Sequence, residues 1–230
     1  MASDRLVPRN RRPRTAIPEA TVARLTIYGR ALVNLAEDGV ETVLSRQLAE
    51  LTGVNAAKVR RDISYLGSHG TRGVGYDVDR LLREINVVLG GGASSPVVIV
   101  GVGNLGRALS RYDGFQSGGF PIAGLVDADP SVVGRRIGGV EVSHLDDLDR
   151  LVAETGCVVG IVATPARAAQ DVVDRLVAAG VRSILNFAPA LVEVEAGVEV
   201  RKVDLATELQ ILRYYEHRRS PAGRRRRAAG

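Results

Sequence analysis

The chain has 230 residues, 45% of them hydrophobic, with one cysteine and a formal net charge of +5. That length and apolar content suit a globular protein of one large or two small domains, and a single cysteine excludes an intramolecular disulfide or a cysteine-cluster metal site. The charge is segregated: Lys and Arg lead Asp and Glu by 12 to 7 over residues 1–76, trail by 13 to 18 over 77–213 and lead by 6 to 1 over 214–230, as expected if the ends meet a polyanion and the middle does not.

Residues 1–17 read as a disordered basic arm. MASDRLVPRNRRPR lacks the apolar core of a signal peptide, and nowhere do about 18 apolar residues run together, so a cytoplasmic protein without a membrane partner is expected. From Pro18 to Glu37 the pattern turns helical, with Val22, Leu25, Ile27, Leu32 and Leu35 as its apolar side and Gly39 as a stop. SRQLAELTG predicts a second helix, Ser45 its possible N-cap and Leu48, Ala49 and Leu51 its apolar side. Asn55 then caps a third, whose Val59, Ile63 and Leu66 fall on one stripe.

Two short helices joined by Thr52, Gly53 and Val54 read as a helix-turn-helix. The later helix places Lys58, Arg60, Arg61, Ser64 and Tyr65 off its apolar stripe, where a recognition helix meets phosphates and guanine edges. A solvated basic face is the plainer reading of that helix alone. GSHGTRGVGY follows, a glycine-rich hairpin with Arg72 at its tip that reads as the wing of a winged helix, suited to a minor groove. His69 reads as a loop residue without a metal role. Tyr76 to Leu89 predicts a helix, and GGGASS a flexible joint. The domains expected are therefore 1–17, the arm; 18–89, a winged-helix DNA-binding domain; 90–203, a nucleotide-binding domain; 204–218, a C-terminal helix; and 219–230, a basic tail.

The second domain is organised around SPVVIVGVGNLGRAL. Val97, Val98, Ile99, Val100 and Val102 predict a strand buried on both faces. Gly101, Gly103 and Gly106 follow in G-x-G-x-x-G spacing: one for a tight turn, one for the approach of a pyrophosphate, one for packing of the helix that starts near Asn104 against the strand. Asn104 and Leu105 open that helix, whose first N–H groups face the phosphates. FPIAGLVDADP ends a second strand at Asp127, near the distance at which a carboxylate reaches a ribose hydroxyl pair. Arg135 and Arg136 soften its exclusion of a 2′-phosphate, though NAD is preferred to NADP.

Beyond it, a strand around Val140 and Val142, a helix from about Leu145 to Glu154, strand Val158 to Ala163, helix Ala166 to Ala179 and strand SILNF imply a Rossmann-like, doubly wound parallel sheet. Thr164 with Pro165, and Asn186, Phe187 and Ala188 with Pro189, end two of these strands and are candidates to surround the far half of a dinucleotide, or else loop geometry alone. Cys157 reads as a buried small hydrophobe. His144 is assigned to the start of a helix, away from the strand ends. Residues from Asp204 to Arg218 predict a last helix whose Leu205, Leu209, Leu212 and Tyr215 either cover its own sheet or dock on a second subunit.

VRRDISYLGSHGTRGVGYDV, IVGVGNLGRAL, DADP, LNFAP and VDL together resemble the Rex family of redox-sensing transcriptional repressors, from about Pro18 to Arg213. The resemblance implies a homodimer that binds a palindromic operator when NAD is oxidised, releases it on NADH and exchanges its C-terminal helix between subunits. By position it implies Gly101, Gly103, Asn104 and Gly106 at the pyrophosphate, Asp127 at the adenosine ribose, and Thr164, Pro165, Asn186 and Phe187 around the nicotinamide. It also implies a polar switch of Arg30, Tyr112 and Asp204. Leu205 departs from members with an aromatic residue there, so apolar packing stands where they have a ring. Two other readings stay open: an NAD-dependent oxidoreductase, disfavoured because no acid or base other than His144 is offered, and a regulator answering another nucleotide such as coenzyme A. Neither a catalytic residue nor a metal is expected.

Overall fold

The structure, a computed structural model, describes residues 17–67, 70, 71 and 73–219. The expectations for the arm up to residue 16, for His69 and Arg72 and for the tail from residue 220 lie outside the described residues. The chain separates into two compact units between Ala93 and Ser94.

The first unit contains α1 (Glu19–Glu37), β1 (Thr42–Val43), α2 (Ser45–Thr52), α3 (Ala56–Ser64), β2 (Tyr76–Asp77) and α4 (Val78–Val88). Pro18 precedes α1 at φ −59°, where its missing N–H costs no helical bond. The face α1 buries is Thr21, Leu25, Tyr28 and Leu32, whereas Ile27 is exposed; a tyrosine and a threonine thus take places the hydropathy pattern assigns to aliphatics. Ser45 is not the N-cap of α2. Leu44 takes that position in extended geometry, and its N–H donates to Gln47 Oε1 at 2.8 Å, so Ser45 becomes the first helical residue. Leu48 and Ala49 are buried, but Leu51 points outward. Gly53 ends α2 in the left-handed region, and Asn55 caps α3 by accepting from the Ala57 N–H at 2.8 Å.

Thr71 and Gly75 exchange backbone hydrogen bonds of 2.9 Å, and β2 pairs antiparallel with β1, which makes the expected wing. The helix expected from Tyr76 starts two residues late for that reason. Tyr76 and Asp77 are engaged in the ladder, and Asp77 then caps α4 by accepting from the Arg80 N–H at 2.7 Å. Leu25, Leu32, Leu48, Val59, Ile63, Leu81 and Ile85 fill the core, with Val43 and Val78.

The second unit is a sheet of seven strands with helices between them: β3 (Val97–Val100), α5 (Asn104–Ser110), α6 (Asp113–Ser117), β4 (Ile122–Asp127), β5 (Arg136–Ile137), β6 (Val140–His144), α7 (Leu148–Thr155), β7 (Val159–Val162), α8 (Ala169–Ala178), β8 (Ser183–Asn186), β9 (Glu199–Lys202) and α9 (Leu205–Arg219). Their order is β5-β6-β4-β3-β7-β8-β9, and all neighbours are parallel except β5 and β6. The unbroken run in β3 now has its reason: Val97 and Ile99 pack on one face with Leu125, Val142 and Ile161, while Val98 and Val100 pack on the other with Val152, Val173 and Leu176. Short 3-10 turns, 145–147 and 166–168, precede α7 and α8.

Three elements of the second unit went unread in the sequence, as did β1 in the first. β5 is two residues long, α6 is a single short helix, and β9 is an edge strand whose EVRK carries little apolar signal. His144 was misplaced: it is the last residue of β6, paired beside Asp127, because the strand continues to the 3-10 turn that precedes α7. None of the residues of α9 is buried; Leu205, Leu209, Leu212 and Tyr215 are more than half exposed. The stripe therefore does not cover its own sheet. No helix among the described residues is long and apolar enough to cross a membrane.

Candidate nucleotide site and nucleic-acid interface

Strand order reverses at β3, with β4 on one side and β7 on the other, and a crevice at the carboxyl ends of such strands is where doubly wound sheets hold ligands. The glycine loop lies at that point. Gly101 leaves β3 at φ +96°, and a Cβ there would stand 2.6 Å from the Ala163 carbonyl oxygen at the end of β7. A Cβ on Gly106 would run into the Gly101 carbonyl, so α5 can seat itself against the strand only with glycine there. Gly103 differs: no heavy atom lies within 4 Å of where its Cβ would be. Its bare face opens outward beside the exposed Asn104 and Leu105.

Asp127, at the end of β4, accepts from the Val102 N–H at 2.6 Å through one oxygen and from the Asp129 N–H at 2.9 Å through the other. It is thereby locked to the glycine loop, and each oxygen keeps an acceptor lone pair. Thr164 follows β7, and its Oγ1 is buried without a hydrogen-bond partner among the described residues, an arrangement a polar ligand would relieve. Pro165 next to it is exposed.

Asn186 is 1% exposed, and both ends of its amide serve the loop: Oδ1 accepts from the Ala188 N–H at 2.9 Å, and Nδ2 donates to the Ala190 carbonyl at 3.2 Å. Its local role is to hold Phe187 and Ala188 at the strand end. Phe187 is half-buried, and Ala188 is buried.

Tyr112 is 58% exposed and meets Phe115 edge-on with centroids 5.1 Å apart. Asp204 caps α9, accepting from Ala206 and Thr207 N–H groups at 3.1 Å, with Lys202 Nζ 3.5 Å away. The Thr207 hydrogen bond and Lys202 hold its carboxyl below the usual range. Arg30, on α1 in the other unit, is exposed. His144 Nδ1 accepts from the Asp146 N–H at 3.2 Å, which ties it to its own turn.

In the first unit, Lys58, Arg60, Arg61 and Ser64 are exposed along α3, and Tyr65 is half-buried after it. Arg60 donates to Ser45 Oγ at 3.2 Å, so that α2 and α3 are linked on this basic face. Ser64 Oγ donates to the Arg61 carbonyl at 2.6 Å and keeps its acceptor capacity.

The sequence reading missed what lies beneath. Asp62 is 1% exposed and forms a bidentate pair with Arg24, Nε to Oδ2 at 2.6 Å and Nη2 to Oδ1 at 2.8 Å. Tyr28 donates to Oδ2 at 2.9 Å and Thr21 to Oδ1 at 3.0 Å. Burial pushes the Asp62 carboxyl up, but the bonds from Arg24, Tyr28 and Thr21 outweigh it and hold the group below its ordinary value. Burial and the Asp62 carboxylate raise the Tyr28 phenol. The one available signal was spacing: Thr21, Arg24 and Tyr28 recur at three and seven residues on α1.

Two family models match in the same order as the two units: "Putative DNA-binding protein N-terminus" over residues 16–64 and "CoA binding domain" over residues 93–190. A redox-sensing transcriptional repressor Rex from Streptomyces griseus is 56% identical over 215 residues, covering 92% of this chain and 85% of that protein. The chain belongs to the Rex family. A Rex from a Roseiflexus species is 44% identical over 198 residues, 86% of this chain and 90% of its own. Among solved structures, RSP, a Rex-family repressor, matches with TM-score 0.82 at 33% identity over 88% of this chain and 95% of its own. RSP in complex with NAD+ and operator DNA matches with TM-score 0.84 over 88% and 94%. The Rex-family fold is thus a winged-helix unit followed by a Rossmann-like sheet, as expected from the sequence.

Proposed function

We propose that this Rex-family protein is a DNA-binding transcriptional repressor that reports the NADH/NAD+ ratio, holding a palindromic operator when NAD is oxidised and leaving it when NADH binds. The observation that carries the reading is one chain that joins an exposed basic helix to a strand-order crevice floored by the bare Gly103. RSP, a Rex-family repressor 32–33% identical to this chain, has been solved with NAD+ and operator DNA and with NADH.

Gly101, Gly103, Asn104, Leu105 and Gly106 would hold the dinucleotide's diphosphate, and Asp127 the adenosine ribose. Thr164, Pro165, Asn186, Phe187 and Ala188 would bound the nicotinamide. The open face of Gly103 and the unpartnered Thr164 hydroxyl fit such a ligand. When bound, the nicotinamide supplies one variable, a positive charge present in NAD+ and absent in NADH. A wall of Pro165, Phe187 and other neutral groups favours the uncharged ring. A 100-fold preference supplies about 2.7 kcal/mol to couple to DNA release.

Arg60, Arg61 and Lys58 would meet phosphates and base edges, with Ser45, Ser64 and Tyr65 beside them; Arg72, outside the described residues, joins this set from the sequence alone. Two copies are needed to read a palindrome, and the uncovered Leu205, Leu209, Leu212 and Tyr215 of α9 suit a homodimer contact. Arg30, Tyr112 and Asp204 would be the polar groups that change partners between the two states. The protein acts as a regulator and not an enzyme, on DNA and without a metal. The match to a model described as CoA binding favours one second reading, a repressor answering coenzyme A.

Operator affinity measured with NAD+, NADH and coenzyme A tests this. NADH is expected to release the DNA at concentrations at which NAD+ does not; equal responses to NADH and NAD+ would refute redox sensing, and release by coenzyme A alone would replace the ligand.

A further inference from the structure

The polar cluster under α3 has no task in the reading above, on which this inference rests. α3 has nine residues, and only Val59 and Ile63 among them are buried apolar side chains. Apolar contacts are non-directional: they press a helix onto a core and leave its rotation about its own axis weakly determined. A carboxylate with fixed donors is directional. Asp62 receives four hydrogen bonds, two on each oxygen, and so uses all its acceptor sites. Every donor comes from one stripe of α1.

At 3.6 residues per turn, Arg60 and Ser64 each lie about 160° round the helix from Asp62, one on either side of the direction opposite to it. The anchor and the reading face are therefore two ends of one lever. With side chains reaching roughly 5–6 Å from the axis, a 10° rotation moves their ends by about 1 Å. That is twice the roughly 0.5 Å window within which an N–H···O bond is good.

Stability offers a poorer account of the cluster. A buried ion pair replaced by well-packed apolar residues commonly leaves stability unchanged or raised, so net stability alone does not account for placing one beneath this helix. We infer that Asp62 is a positioning residue for base reading: its pair with Arg24, steadied by Tyr28 and Thr21, sets the rotation of α3 at which Arg60 and Ser64 meet base edges.

The test uses the full chain, a duplex that the unaltered protein selects from a random-sequence pool, and an unselected duplex of equal length at the same salt. Replacing the pair together, Arg24→Met with Asp62→Leu, should leave the chain folded and NADH binding near that of the parent, with a melting temperature lowered by a few degrees because the buried Tyr28 and Thr21 hydroxyls lose their acceptor. The ratio of selected to unselected affinity should fall about tenfold or more, the worth of a bidentate base contact. Affinity for the unselected duplex should stay within about twofold, because phosphate contacts by Lys58 and Arg61 do not depend on register. Arg24→Lys keeps the charge but loses the fork, and should lower the ratio less.

A folded variant with an unchanged ratio overturns the inference, as does a parallel loss on both duplexes, the sign of structural damage alone. Should the double replacement not fold, Tyr28→Phe removes one of the four bonds at constant shape, and an unchanged ratio there overturns the inference equally. If the unaltered protein selects no duplex from the pool, the repressor reading itself fails and takes this inference with it.

Discussion

In a Gly103→Ala variant the added methyl enters open space: nothing lies within 4 Å of it, and the backbone at φ −69° and ψ −162° is one any residue adopts. Folding should be unaffected or favoured by about 0.4–1 kcal/mol, since the unfolded chain loses freedom. The methyl nevertheless occupies the space through which a diphosphate would reach the loop backbone. Displacing it by the width of a methyl forfeits hydrogen bonds to charged oxygens worth about 1.5–3 kcal/mol each, which weakens NADH about ten- to hundredfold. Gly101→Ala predicts the opposite pattern. There the residue would hold φ +96° with its Cβ 2.6 Å from the Ala163 carbonyl oxygen and 2.9 Å from Thr164 Cγ2. Conformational strain of about 1–3 kcal/mol adds to a pushed strand end, so the melting temperature should drop by several degrees. Titration calorimetry with NADH beside thermal melts of both variants is the assay. In operator binding, Gly103→Ala should stay on DNA at NADH concentrations that release the parent. Unaltered NADH affinity in Gly103→Ala would refute the placement of a diphosphate over this loop, and a Gly101→Ala protein of parental stability would refute the steric account of the turn.

Two other outcomes are expected. Leu209→Asp on α9, at a position 68% exposed, should leave both units folded by circular dichroism but shift the protein from dimer to monomer in sedimentation; an unchanged dimer would remove α9 from the interface. For acid stability, the Asp62 carboxyl is held below its unfolded value of about 3.9. Its contribution is therefore full above that pH and lost as pH falls through the folded value. Urea midpoints of the parent should fall more steeply between pH 5 and 3 than those of the Arg24→Met, Asp62→Leu protein, where that titration is gone; equal slopes would count against the pair.

What the sequence determined by itself was whatever a short window of chain can encode. The glycine spacing at 101, 103 and 106, the β-branched run of β3, the Asn55 cap and the basic residues of α3 are dictated by backbone sterics and side-chain period, and each stands where its pattern says. Tertiary structure alone decided the rest. Ile27 and Tyr28 are adjacent, and hydropathy ranks them in the wrong order for burial, because a phenol with a carboxylate 34 residues away is as much at home inside as an aliphatic. Nothing in the sequence around Asp62 marks it as buried, since its partners Thr21 and Arg24 lie 41 and 38 residues upstream. β9 has no pattern of its own and becomes a strand only because β8 presents an open edge to it. His144 ends a strand instead of starting a helix for the same reason, its ladder to Asp127. Periodicity reports which face of an element is apolar; which polar groups meet across the fold depends on where the chain returns, and no local run of residues carries that information.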